Sequence, residues 1–288
     1  MTINLIGGTG QLGRRVVAQL IEQGASPRDI IVTGRDPERA EGMFVEGVTV
    51  RRGDYDDPES LMTAFEGSDV VLLIASLDAP EHRVGQHMNA LRAARANGVK
   101  RVVFISFATA DPESKFEIAP FLLFAETATR QSGMEWTILR DGVYLDPVAE
   151  WVPDLVEMGE LPYPVRHGRV AYISRDDLAR AVAAALIQPG HEGKVYDLTG
   201  RDAITMDELA RAISVATGRD VPFRSISDEE YAEICRRDGI PEPFIRVLTS
   251  MYWAIDAGEV EKGTDHVEVL TGTPPESAED YLRRTVEL

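Results

Sequence analysis

Short apolar runs rich in β-branched residues alternate with amphipathic stretches through the first 140 residues. The apolar runs are typical of buried strands, which are predicted at residues 3–6, 30–33, 48–51, 70–74, 102–106 and 136–140. Helices are predicted between them at 12–23, 37–41, 58–65, 82–97 and 121–132. Glycine directly follows several of the helical stretches, as at Gly24 and Gly98, and glycine favours the left-handed conformation at a helix end. The alternation predicts an α/β fold with a doubly wound parallel sheet.

The pattern changes after residue 140. Segments rich in proline and aromatic residues, at 144–153 and 161–164, are predicted to be irregular. A helix at 176–186, a strand at 194–198 and a helix at 206–217 are predicted among them, and Thr205 with Glu208 forms a capping box before the last helix. We therefore expect a first domain at 1–143 and a smaller C-terminal α+β lobe at 144–288, interleaved with the first domain.

Composition restricts the class of protein. The chain has 288 residues, of which 44% are hydrophobic and 27% charged, and no window approaches the ~18 apolar residues of a membrane helix. No signal-peptide pattern follows Met1, so a cytoplasmic protein is expected. A net charge of −18 argues against nucleic acid as a ligand. The single cysteine, Cys235, is interpreted as a buried or indifferent thiol, and no metal site is predicted.

A glycine-rich turn connects the first predicted strand to the first predicted helix. It matches both Gly-x-x-Gly-x-x-Gly and Gly-x-Gly-x-x-Gly, and it consists of Gly7, Gly8, Thr9, Gly10, Gln11, Leu12 and Gly13. Side chains here would keep a pyrophosphate from the backbone amides, and the helix N-terminus supplies partial positive charge. The position after a first strand predicts a dinucleotide site, and the alternative is a tight turn without a ligand.

The residues after the second strand distinguish the two nicotinamide dinucleotides. Arg35 stands where the adenosine 2′-phosphate of NADP would lie, and Arg14 could add a second contact. The alternatives are a solvated Arg35 and an Asp36 that binds the ribose of NAD. We expect NADP(H), with NAD(H) as the less favoured cofactor.

Acidic residues after the third strand suggest a contact to adenine. A carboxylate there could accept a hydrogen bond from the amino group, and Asp54 is favoured over Asp56. The competing interpretation is a helix N-cap, particularly for Asp57.

Taken together, these elements resemble the NmrA-like branch of the atypical short-chain dehydrogenases, which includes NAD(P)H-dependent quinone oxidoreductases and triphenylmethane reductase. The matching segments are 7–13, 33–40, 53–61, 70–76, 98–106, 132–144, 167–186, 193–200 and 272–282. The resemblance implies a Rossmann-like fold in which Ala75 and Ser76 pass the ribose and pyrophosphate. It also implies that Ser106 and Phe107 face the nicotinamide and that Tyr144 closes over the ring.

The chain departs from conventional short-chain dehydrogenases at their tyrosine–lysine pair. When Glu126 is aligned with the acidic residue that follows this pair in those enzymes, Ile118 and Leu122 stand at the tyrosine and lysine positions. Neither side chain can transfer a proton. A reductase would therefore rely on proximity between the cofactor and an electron-poor acceptor. Tyr144 and Ser106 remain the candidate catalytic donors, with packing or capping as the alternative role. The side chains of His82, His87 and His167 are not assigned a role.

The most favoured function is an NADPH-dependent reductase of a quinone or similar planar, electron-poor molecule. The alternatives are a regulatory protein that senses NADP(H) and an isomerase, lyase or cyclase on the same scaffold. Aromatic residues after position 143 suit the stacking of a flat substrate, a lobe core or a protein interface. They are Tyr144, Trp151, Tyr163, Tyr172, Tyr252 and Trp253. No membrane partner is expected, and the oligomeric state stays open between a monomer and a homodimer.

Overall fold

A computed structural model describes residues 1–286 of the chain. Through residue 141 the elements are β1 (Ile3–Ile6), α1 (Gln11–Glu22), β2 (Ile30–Gly34), β3 (Thr49–Arg52), α2 (Pro58–Ala64), β4 (Val70–Ile74), α3 (Pro80–Ala96), β5 (Arg101–Phe107), α4 (Ala119–Arg130) and β6 (Glu135–Asp141), with short 3₁₀ helices at Pro27–Asp29 and Glu38–Ala40. The later elements are α5 (Asp146–Met158), β7 (Leu161–Tyr163), β8 (Arg169–Val170), α6 (Arg175–Ile187), β9 (Lys194–Leu198), β10 (Ile204–Thr205), α7 (Met206–Thr217), β11 (Phe223–Ser225), α8 (Asp228–Arg237), α9 (Glu242–Asp256), α10 (His266–Thr271) and α11 (Ala278–Thr285).

Within residues 1–286, seven strands form one sheet in the order β3-β2-β1-β4-β5-β6-β9. β1 pairs in parallel with both β2 and β4, and Ile3 lies opposite Ile30 and Val70. The first six strands follow the order 3-2-1-4-5-6 of a Rossmann sheet, which confirms the predicted fold class. The carboxyl ends of its parallel strands meet at one edge, where such folds bind their ligands.

Burial explains why the central runs become strands. Every residue of β1 is buried, as expected for a parallel strand covered on both faces. α1 turns Leu12, Val16 and Leu20 inward at helical spacing. The hydrophobic effect contributes about 1.5–3 kcal/mol for each such side chain, and this fixes the helix on the sheet.

The described chain divides into two compact units, each of which is built from separate stretches of the sequence. The first unit comprises Met1–Phe107, Pro120–Arg140 and Leu178–Asp197, and it contains most of the seven-stranded sheet. The second comprises Ala108–Ala119, Asp141–Asp177 and the residues from 198 onward. Its small sheets pair β10 with β8 in antiparallel fashion and β11 with β7 in parallel. The predicted capping box is confirmed: Thr205 Oγ1 accepts from Glu208 N at 3.1 Å, and Glu208 Oε2 accepts from Thr205 N at 2.7 Å.

Three local predictions are wrong. Residues 37–41 form only a short 3₁₀ turn, and 161–164 include the strand β7. Residues 144–153 were expected to be irregular, but most of them belong to α5, which contains Pro153. An internal proline costs a helix about 3 kcal/mol. The burial of Val148, Val152 and Leu155 along one face of α5 offsets that cost.

Within residues 1–286, no helix has both the length and the apolar character that a membrane crossing requires.

Candidate functional site

The glycine-rich turn lies at the carboxyl end of β1. Gly7 adopts φ +82°, a left-handed conformation that side chains other than glycine's disfavour. Its N–H donates to the Thr33 carbonyl at 3.1 Å, and the Gly8 N–H donates to the Leu5 carbonyl at 3.2 Å. The loop is therefore anchored on both β1 and β2.

The glycines of the turn serve different purposes. A Cβ at Gly13 would lie 2.5 Å from the Gly7 carbonyl oxygen, and a Cβ at Gly8 would lie 2.9 Å from the Leu5 carbonyl oxygen. Both positions must therefore be glycine for the loop to pack. A Cβ at Gly10 would meet only the Gly7 oxygen, at 3.2 Å, and Gly10 is exposed. Gly10 is thus the glycine whose missing side chain leaves room outside the fold.

The start of α1 is open to an anion. The N-cap is Gly10, no side chain caps the helix, and its first turn carries no acidic residue. The first amides of a helix have no partner within the helix and carry partial positive charge. Because the backbone at Gly10 leaves room in front of these amides, the turn fits the pyrophosphate of a dinucleotide.

The end of β2 presents a guanidinium and a carboxylate that pairs with a neighbouring arginine. Arg35 is exposed. Asp36 Oδ2 pairs with Arg39 Nε at 3.1 Å, and Asp36 Oδ1 accepts from the Arg39 N–H at 3.4 Å. The carboxylate that would select NAD is therefore held by Arg39, whereas Arg35 remains at the surface where a 2′-phosphate was predicted.

The acidic residues after β3 have separate partners. Asp57 caps α2, accepting from the Ser60 N–H at 3.2 Å, and it pairs with Arg52 at 2.8 Å. This confirms the N-cap interpretation for Asp57. Asp54 Oδ1 accepts from the Asp56 N–H at 3.1 Å, and the contact of Asp54 with adenine stays a prediction.

A polar network follows β4. Ser76 Oγ donates to Gln86 Oε1 at 2.5 Å, and the Gln86 amide donates to Asp78 at 2.6 Å and to Asp56 at 3.0 Å. His82 Nε2 lies 2.8 Å from Asp56. The Gln86 hydrogen bond is the main cause that lowers the pKa of Asp78, and nearby positive charge, including Arg35, adds to it. Ligand atoms of Asp56, Asp78 and His82 lie within 4.8 Å of one another, but hydrogen bonds already engage both carboxylates.

Ser106 at the end of β5 is buried and donates to Glu126 Oε1 at 2.8 Å. Glu126 is fully buried and also accepts from Arg140 Nε at 2.7 Å, Arg140 Nη2 at 2.8 Å and Arg130 Nη2 at 2.8 Å. Burial alone would raise the pKa of Glu126, but hydrogen bonds from Arg140, Ser106 and Arg130 outweigh it and hold that pKa below its usual value. The Ser106 proton is directed to this carboxylate. Phe107, next in β5, is half-buried.

The second unit contains a buried carboxyl–phenol pair that sequence reasoning missed. The Tyr144 hydroxyl donates a hydrogen bond to Asp141 Oδ2. Burial raises the pKa of Asp141 to about 7, against the opposing effect of that hydrogen bond. Burial and the Asp141 charge also raise the pKa of Tyr144 well above its usual value. The sequence feature that could have revealed this pair is a carboxyl group at the last position of a buried strand, three residues before a candidate tyrosine.

The aromatic residues of the second unit mostly contact one another. Trp151 stacks on Tyr163 with ring centroids 5.7 Å apart, and Tyr163 lies 5.0 Å from Tyr252. Tyr163, Tyr172 and Tyr252 are buried, and Trp253 is exposed. This arrangement is that of a lobe core, one of the alternatives left open by the sequence.

The unassigned histidines and the cysteine also have places. His87 is buried, hydrogen-bonds Thr129 Oγ1 at 2.9 Å, and has its pKa lowered to about 4 by burial. His167 is exposed, and its backbone N–H donates to Asp256 at 3.1 Å. Cys235 is buried, as expected.

Comparison with known proteins decides the family. A model described as the NmrA-like family matches residues 1–281. The chain belongs to the NmrA-like family. It is 31% identical over 272 residues to quinone oxidoreductase 2 of Escherichia coli K12, covering 94% of each chain. It is 29% identical to an NAD(P)H azoreductase of Xenophilus azovorans, covering 98% of this chain and 96% of that one.

A solved structure adds a cofactor-bound relative of this NmrA-like protein. Triphenylmethane reductase of Citrobacter sp., crystallised as a complex with NADP(H), shares 33% identity and superposes with a TM-score of 0.92 over 100% of both chains. The predicted resemblance is confirmed. The relatives are named a quinone oxidoreductase, an NAD(P)H azoreductase and a triphenylmethane reductase, which also confirms the predicted oxidoreductase class.

Proposed function

We propose that this NmrA-like protein is an NADPH-dependent reductase that transfers hydride to planar, electron-poor small molecules such as quinones or cationic dyes. The observation that best supports this proposal is the turn at Gly10, where an exposed glycine precedes a helix that no side chain caps. Relatives named for quinone, azo-compound and triphenylmethane reduction support the same class of acceptor.

The dinucleotide would be held by the first unit. We assign the pyrophosphate to the backbone of the glycine-rich turn, which comprises Gly7, Gly8, Thr9, Gly10, Gln11, Leu12 and Gly13. We assign the adenosine 2′-phosphate to Arg35, because charge-assisted hydrogen bonds to phosphate are strong and Asp36 is occupied by Arg39. The adenine is assigned to Asp54 and the ribose to Ala75 and Ser76. Ser106 and Phe107 are assigned to the nicotinamide end.

The chemistry follows from what the protein lacks and what the cofactor supplies. Bound NADPH supplies a hydride, so the protein has to bind, orient and shield the acceptor. Neither Ile118 nor Leu122 can replace the tyrosine–lysine pair of conventional relatives. Alignment of a charge-delocalising acceptor against the cofactor therefore supplies most of the rate enhancement.

Tyr144 and Ser106 take different roles in this proposal. The Ser106 hydroxyl already donates to Glu126, so we assign Ser106 to holding the end of β5. We assign Tyr144 to the hydrogen bond with an acceptor oxygen. Burial raises the pKa of Asp141 to about 7, and a protonated Asp141 can donate to the Tyr144 oxygen, which frees the phenol O–H for the acceptor.

The test is NADPH oxidation followed at 340 nm with a panel of quinones and cationic triarylmethane dyes, alongside calorimetry with NADPH and NADP⁺. Turnover of at least one acceptor class with tight NADPH binding is expected. Binding of NADPH without turnover of any acceptor would reject the reductase in favour of an NADP(H) sensor. Absence of NADPH binding would reject both.

A further inference from the structure

The pair formed by Asp141 and Tyr144 stands at the carboxyl end of β6 and just after it in the chain. Asp141 is the last residue of β6, and its carbonyl accepts from the Ala108 N–H, one residue after β5, at 2.9 Å. Asp141 as a whole residue is 6% exposed, whereas Tyr144 is partly exposed. The carboxyl group is therefore screened from water, and the phenol is the member of the pair that can reach a ligand.

Within residues 1–286, no positively charged side chain pairs with the Asp141 carboxyl. The guanidinium of Arg175 lies over the Tyr144 ring, 5.2 Å from its centroid. It also lies 3.6 Å from Asp146 and 3.4 Å from Glu150, and its backbone N–H donates to Asp146 at 2.8 Å. Arg175 is thus compensated by two other carboxylates. A buried carboxyl without a cation favours its protonated form.

We propose that Asp141 is a proton reservoir for Tyr144, and that the pair delivers the proton that a quinone needs in addition to the hydride. This inference rests on the proposed reductase function and goes beyond it by naming a positioning residue. Two-electron reduction of a quinone consumes one hydride and one proton, because each carbonyl oxygen ends as a hydroxyl.

The transfer balances within the pair. The Tyr144 O–H bond breaks as its proton moves to the anionic oxygen of the reduced quinone, and the Asp141 O–H bond breaks as its proton moves to Tyr144 Oη. The hydride supplies both electrons, so neither residue is oxidised or reduced. Asp141 ends as a carboxylate and regains its proton from solvent between turnovers through the partly exposed Tyr144 hydroxyl.

A cationic triarylmethane dye provides an internal control. Addition of hydride to the central carbon of the dye gives a neutral product, and no proton is consumed. The relay should therefore affect quinone reduction and leave dye reduction unchanged. Since the protonated carboxyl is the active form and burial raises the pKa of Asp141 to about 7, quinone reduction should decline above about pH 7.

The experiment compares wild type with D141N, Y144F and the control E150Q, whose carboxylate also pairs with Arg175 but is exposed. The value of kcat/KM is measured from pH 5.5 to 9 with a quinone and with a cationic triarylmethane dye. Infrared difference titration of the cofactor-free protein follows the C=O stretch of the protonated carboxyl. In wild type and E150Q, kcat/KM with the quinone should decline near pH 7, and the infrared signal of the protonated carboxyl should titrate with the same midpoint.

D141N should lose the carboxyl signal and the pH-dependent decline, with quinone kcat/KM at pH 6 at least ~10-fold lower and dye reduction within about twofold of wild type. Y144F should show a similar selective loss. An unchanged quinone profile in D141N, or equal losses with both acceptors, would overturn the relay while leaving the reductase intact. If wild type reduced the dye but not the quinone, the relay would also be overturned while the reductase stood. Bound NADPH with neither acceptor reduced would overturn the proposed function and the relay together.

Discussion

Replacing Gly10 by valine separates the cofactor role of the glycine-rich turn from its folding role. Gly10 has φ −75° and ψ 175°, an extended conformation that β-branched residues adopt readily. A Cβ there meets a single atom, the Gly7 carbonyl oxygen at 3.2 Å, so the neighbour has to shift by only a few tenths of an ångström. The cost to folding should be about 1 kcal/mol, the usual cost of an apolar N-cap.

The cost to cofactor binding should be much larger. The valine methyl groups would occupy the space in front of the first amides of α1, where we assign the pyrophosphate. Loss of two charge-assisted hydrogen bonds at about 1.5–3 kcal/mol each amounts to about 3–6 kcal/mol. This corresponds to a roughly 10²–10⁴-fold weaker Kd for NADP⁺.

Calorimetry with NADP⁺ measures the affinity, and thermal unfolding without cofactor measures the fold. Gly85→Ala is the matched control, because Gly85 is exposed within α3 and a Cβ there meets nothing within 4 Å. It should bind NADP⁺ like wild type and gain about 0.5–1 kcal/mol of stability. A folded Gly10→Val protein with wild-type affinity for NADP⁺ would refute the phosphate-cradle assignment.

Three further predictions concern charge. Arg35→Ala should narrow the preference for NADP⁺ over NAD⁺ by roughly 1.5–3 kcal/mol in calorimetry, and equal wild-type affinities would contradict the assignment. Glu126→Gln should lower the free energy of unfolding in urea by about 3 kcal/mol, because Arg130 and Arg140 lose their buried counter-charge, although both arginines are partly exposed to solvent. A loss below about 1 kcal/mol would contradict a stabilising role for this buried carboxylate. Asp141 has its pKa raised from 3.8 to about 7, so its contribution to stability is lost as pH rises through this window. Between pH 4 and 8, wild type should lose up to about 4 kcal/mol relative to D141N, and a constant difference would contradict the burial effect.

The sequence predicted those parts of the fold that local chemistry determines. The strands of the sheet, the glycine-rich turn and the N-caps at Asp57 and Thr205 each follow from the residue types at a few neighbouring positions. Helix α5 could not be predicted in this way, because Pro153 disfavours a helix locally. Only the burial of its apolar face in the folded unit outweighs the proline.

The candidate site likewise combines residues that a local motif predicts with residues whose environment depends on the folded chain. The roles proposed for Gly10 and Arg35 come from spacing along a motif. The environment of Asp141 depends instead on burial and on the hydrogen bond from Tyr144, whose own pKa responds to charges on α5 and α6. The direction of the Ser106 hydroxyl depends likewise on Glu126, 20 residues away in sequence and fixed by arginines from α4 and β6. No local pattern reveals which partner such groups will meet in the folded chain.

Transfer of a labelled hydride tests the central claim most directly. The protein is incubated with a cationic triarylmethane dye and NADPH carrying deuterium at C4, prepared separately in each of the two stereochemical forms. A carbon-bound deuterium on the reduced dye does not exchange with water, so mass spectrometry records its origin. We predict that one of the two labelled forms gives a product with a single deuterium and the other gives none. An unlabelled product from both forms, or no reduced dye in the presence of bound NADPH, would contradict direct hydride transfer by this protein.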